Sequence, residues 1–125
     1  MVTTDISQLN AECTTWRAKL RNSRQELIQN QQRLQQPASR QLPKNVLQDI
    51  EHYENQFRIQ LLNIHDLKQA IKEHERKLER ESASGKPADD STWSTHEDLY
   101  QKYHYLDTTL QELKDEFNRF LQQHS

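Results

Sequence analysis

Glycine is almost missing from this chain of 125 residues: it occurs once, at Gly85, and proline only at Pro37, Pro43 and Pro87. A sheet protein of this length would need many turns, and turns recruit both residue types. Their scarcity excludes most β architectures and leaves a few long elements joined by two connections. The single cysteine, Cys13, excludes an internal disulfide and suits a reducing compartment. No apolar run approaches the ~20 residues needed to span a bilayer. The first residues, Met1–Asp5, lack the basic and apolar regions of a signal peptide, so a cytoplasmic location is expected.

The equipment of catalysis is also scarce. The one glycine lies in Ser84-Gly85-Lys86-Pro87, which cannot form a phosphate-cradling loop. No element places a serine nucleophile on a sharp turn. Cys13 falls on a core position, where a thiol packs as a small apolar group. A narrow helical bundle is expected to leave no room for a substantial pocket. No enzymatic activity and no cofactor are expected.

What the chain does contain is helix-forming residues: sixteen glutamines, with abundant Glu, Lys, Arg and Leu. Only 32% of residues are hydrophobic, against 29% charged. So polar a composition permits disorder, but the apolar residues recur at alternating spacings of three and four. In the first segment they are Ile6, Leu9, Cys13, Trp16, Leu20, Leu27 and Leu34, interrupted by Ser23 and Asn30. In the second they run Val46, Ile50, Tyr53, Phe57, Gln60, Ile64, Leu67, Ile71, His74 and Leu78. In the third they run His96, Leu99, Tyr103, Leu106, Leu110, Leu113, Phe117 and Phe120.

The rhythm predicts a single domain over 1–125, an all-α, up-down-up antiparallel three-helix bundle of long heptad-patterned helices. The helices are placed at about 5–36, 43–81 and 93–123, with loops at 37–42 and 82–92. Thr4 or Asp5 can cap the first helix, and Pro37 is expected to end it. Ser94 with Glu97, or Thr95 with Asp98, can form a capping box for the third. The topology resembles that of spectrin-type repeats. The likeness is one of architecture, which does not assign function.

Polar residues within the seams are the first candidates for special roles. Antiparallel alignment puts Ser23 level with Gln60 and Asn30 near Tyr53, an arrangement expected to fix register through hydrogen-bonded pairs. His74 and His96 lie toward the 82–92 loop end with Cys13, and these residue types suit zinc. Their spacing argues against a metal site, because no two stand within one turn of sequence and His96 is expected a turn or more from His74. Asp49 and His52 have a D-x-x-H spacing, but they lie off the seam and lack a second copy, so a solvated pair is expected.

Net charge is −2, with opposite imbalances in the first and third helices. Residues 5–36 hold five basic and three acidic side chains, and residues 92–124 three and six, which favours attraction between helices. Arg17, Arg21 and Arg24 form a basic stripe that ion pairing or solvent can satisfy. Neither a nucleic acid nor a membrane is expected as a partner.

Ile28, Ile59 and Leu62 fall outside the seams at nearly one height. A helix apolar on more than one face is usually buried on more than one face. These three are therefore expected to contact another protein or a second copy of the chain. The reading that follows is a non-enzymatic helical interaction or structural module. A small metal or ligand carrier using the histidines near the 82–92 loop end is the alternative.

Overall fold

The computed structural model describes residues 2–38 and 41–124, with side chains over 6–35 and 41–124. It is a three-helix bundle: α1 spans Val2–Ala38, α2 Lys44–Ala83 and α3 Asp90–Gln123. With 37, 40 and 34 residues, the helices extend about 50–60 Å at the α-helical rise of 1.5 Å per residue. α2 is the central element, packing against both neighbours, while α1 and α3 meet more sparingly.

The heptad residues form one continuous core. Leu27, Phe57, Ile64, Ile71, Leu78 and Phe117 are fully enclosed. At the end near the 39–43 connection, the Phe57 and Phe117 rings meet edge to face at 4.9 Å, with Tyr53 and Phe120 packed around them. Such aromatic contacts add specific geometry to the apolar area they bury.

The helix ends depart from expectation in three places. α1 continues through Pro37 to Ala38, because the restriction on the residue before a proline disfavours a helix without forbidding its last turn. α1 also begins at Val2, so Thr4 and Asp5 stand inside its first turn rather than at its cap; their side chains lie outside the described residues. α3 begins one turn earlier than the Ser94 and Thr95 boxes imply. Asp89 is its N-cap, accepting a hydrogen bond from the Thr92 amide at 2.8 Å. The preceding connection is correspondingly short, and Gly85 turns it with a φ of 71°.

The polar seam residues find partners other than those expected. Gln60 accepts a hydrogen bond from Asn63, one turn away on its own helix. Asn30 accepts from Arg33, whose guanidinium also reaches Asn118 on α3 and lies over the Phe117 ring. Tyr53 donates to the Glu116 carbonyl, and Ser23 is half-buried. The Asn30 layer therefore ties α1 to α3 through Arg33, not α1 to α2 through Tyr53. Arg33 and Tyr53 are long enough to cross between helix surfaces, whereas Gln60 is satisfied within its own helix.

Candidate functional site

Heptad phase turns Cys13, His74 and His96 inward from three different helices, and all three are buried. His74 Nε2 and His96 Nδ1 stand 3.0 Å apart. Cys13 Sγ is 4.0 Å from the same His96 nitrogen. The separation expected between the two histidines is thus wrong. α3 starts at Asp90, which shortens the hairpin and brings its second turn level with His74.

Neighbouring groups hold this cluster in place. His96 Nε2 lies 3.0 Å from Glu12 Oε2, whose side chain is 40% exposed. A carboxylate can only accept, so His96 carries its proton on Nε2 and turns a bare Nδ1 inward. His74 Nε2–H then donates to that Nδ1. The remaining His74 nitrogen, Nδ1, is buried with no hydrogen-bond partner. Trp16 packs on the His96 ring at 4.8 Å. One turn beyond Cys13, Arg17 binds Glu75 of α2 through two hydrogen bonds, at 2.6 and 3.0 Å. Thr92, fully buried, donates its hydroxyl to Glu81.

The electrostatics keep Cys13 and His74 neutral. Burial, with the carboxylates of Glu75 and Glu12 behind it, pushes the Cys13 thiol up to about 12. Burial also lowers the His74 pKa below its ordinary 6.5, and the neighbouring His96 and Lys77 add to that. Cys13 and His74 therefore offer uncharged donor atoms in a buried layer, with acidic side chains at its edge.

No family model, curated protein or solved structure matches the chain.

A second feature lies on the outside. An open groove of about 670 Å³ runs along the junction of α2 and α3. Leu67, Ala70, Leu106 and Tyr105 give it apolar surface, with Asn63 and Asp66 on its α2 wall. The expectation that a narrow bundle leaves no substantial pocket fails at this seam. Tyr105 is 77% exposed.

The apolar residues singled out in the sequence divide between two sides of α2. Ile59 is 46% exposed and Leu62 59% exposed. They stand one turn from Asn63 and Asp66 respectively, and so border the α2 wall of the groove. Ile28 is half-buried. It lies three turns beyond Arg17 on the side of α1 that faces Glu75 of α2, so the body of α2 separates it from the groove. The three do not form one patch, because equal height along an axis says nothing about azimuth.

The remaining sequence candidates are surface groups. Asp49 and His52 are exposed. Of the basic stripe, Arg17 is paired to α2 and not to α3, whereas Arg21 and Arg24 face outward. Between the first and third helices, Lys114 pairs with Glu26 at 2.5 Å, with the acid on α1 and the base on α3, the reverse of the overall charge imbalance. Among the described residues, no helix is long and apolar enough to cross a membrane.

Proposed function

We propose that the protein is a non-enzymatic helical interaction module that pairs with a second copy of itself through its α2–α3 face. The observation that carries this reading is the juxtaposition of a groove and a ridge on one surface. The groove presents Leu67, Ala70, Leu106 and Tyr105, and the ridge beside it presents Ile59 and Leu62. A two-fold axis through such a face seats each copy's ridge in the other's groove, which is how an isologous interface closes. Exposed tyrosine and branched aliphatic side chains withdraw apolar surface from water on contact, and Asn63, Gln101, Asp66 and Lys102 supply a polar rim with one charge of each sign.

The test is solution mass by light scattering over a wide concentration range, with circular dichroism as the control for folding. A dimer that Ile59→Glu with Leu62→Glu converts to a helical monomer supports the reading. A wild-type chain that stays monomeric at the highest concentration sinks it.

A further inference from the structure

We propose that Cys13, His74 and His96 form a binding site for a borderline transition-metal ion, with Zn(II) the natural occupant. The donor atoms are Cys13 Sγ, His74 Nε2 and His96 Nδ1, which lie within 4.8 Å of one another. A tetrahedral zinc has metal–nitrogen bonds near 2.0–2.1 Å and a metal–sulfur bond near 2.3 Å. Those lengths put ligand nitrogens ~3.3 Å apart and nitrogen and sulfur ~3.6 Å apart. The observed 3.0 Å between imidazoles and 4.0 Å from sulfur to His96 fall on either side of these values. The widest separation in the cluster, up to 4.8 Å, is between the Cys13 sulfur and His74 Nε2, so closing the shell takes a movement of about 1 Å there and a few tenths of an ångström elsewhere, within reach of side-chain rotation.

Three features distinguish the arrangement from an ordinary buried polar layer. The first is convergence: one donor comes from each helix, at seam positions where an aliphatic side chain would pack without desolvation cost. The second is incomplete satisfaction. His74 Nδ1 has no hydrogen-bond partner, and the Cys13 thiol reaches only His96 Nδ1, at 4.0 Å. The third is Glu12. A metal-bound histidine commonly donates its other ring N–H to a carboxylate, which fixes the tautomer and orients the lone pair. Glu12 is in that position behind His96, at 3.0 Å.

The donor set selects the cation. A thiolate with two imidazoles suits Zn(II) and its spectroscopic substitute Co(II), while magnesium and calcium require oxygen ligands. On binding, the Cys13 sulfur–hydrogen bond breaks, the thiolate electron pair goes to the metal, and one proton leaves to solvent. Both histidines bind as neutral imidazoles, His74 with its proton on Nδ1. Three protein donors leave one tetrahedral position open. The site is separate from the α2–α3 face, so its test does not depend on dimerisation.

The test uses the full chain, stripped with a chelator and titrated with Co(II), followed by displacement with Zn(II). The expected result is one Co(II) per chain, with a thiolate-to-cobalt charge-transfer band and the intense visible bands of tetrahedral geometry, all abolished by equimolar Zn(II). Cys13→Ser should remain helical, lose the charge-transfer band and bind at least about tenfold more weakly. Glu12→Ala should weaken binding about 10–100-fold, the range seen when the partner of a ligating histidine is removed. Wild-type protein that shows no such bands overturns the proposal. So does uptake that survives in Cys13→Ser with His74→Leu and His96→Leu, which would place the metal on surface histidines such as His52, His65 or His104.

Discussion

The two ends of the bundle are buried to the same depth and built from different chemistry. Around Phe57 and Phe117 the enclosed layers are aromatic and aliphatic, with the polar contacts of Tyr53 and Arg33 at their margin. Around His74 and His96 the layer is made of ring nitrogens and a thiol, hemmed by Glu12, the Arg17–Glu75 pair and the Glu81–Thr92 bond. Equal burial does not mean equal contribution. Enclosing an aromatic ring removes apolar surface from water, at roughly 25 cal/mol per Å². Enclosing an imidazole nitrogen without a partner costs free energy. The aromatic end holds the helices together, and the polar end is tolerated by a fold that other layers sustain.

Phe57→Ala at the aromatic end should have the largest effect. It leaves a cavity beside Phe117 in a fully enclosed layer, and urea unfolding should show a loss of about 3–5 kcal/mol. Next comes Asp89→Ala at the polar end, which removes the acceptor for the Thr92 amide and should lower the melting temperature. Its pH dependence follows from the lowered Asp89 pKa, caused first by the Thr92 backbone hydrogen bond. The ionised carboxylate is favoured in the folded state, so the cap contributes fully above the ordinary value of 3.8. That contribution disappears as pH falls through the lower folded pKa. Melting curves of wild type and Asp89→Ala should therefore differ at neutral pH and converge in strong acid.

Smaller effects sharpen the contrast. Tyr53→Phe removes a long hydrogen bond to the Glu116 carbonyl, 3.5 Å, while keeping the ring. Its cost in urea unfolding should be at most about 0.5 kcal/mol. Smallest of all should be the double change His74→Leu with His96→Leu in metal-free protein. Replacing both members of the imidazole pair with apolar groups strands only the weak Cys13 S–H donor, so stability should stay within about 0.5 kcal/mol of wild type, on the stabilising side. A double variant that unfolds as readily as Phe57→Ala would show that the histidines contribute as much as the aromatic cluster.

Much of this was legible in the chain because heptad phase is a local property. The inward set from Ile6 through Leu34, and its counterparts in α2 and α3, follow from spacing within each helix. The cluster was not legible for the opposite reason. Its residues were recognisable as zinc-compatible types, but the distance between His74 and His96 depends on where α3 begins. The Ser94 and Thr95 boxes point to a start one turn too late, whereas the aspartate at 89 caps the helix. Asp89 with Thr92 fits the general N-cap preference and was the available signal. Azimuth was the other missing quantity. Ile28 is level with Ile59 by alignment, but only the Arg17–Glu75 pair shows which side of α1 meets α2.

The two tryptophans give the molecule a pair of optical probes with separate addresses. Trp16 is enclosed and lies against His96, whereas Trp93, three residues before that histidine on α3, is 45% exposed. Solvent polarity sets indole emission, so Trp16 should emit at shorter wavelength than Trp93. A paramagnetic ion beside the imidazole should darken the enclosed indole first. With Trp93→Phe as background, emission from Trp16 becomes a continuous record of events in the histidine layer, read at concentrations too low for absorbance.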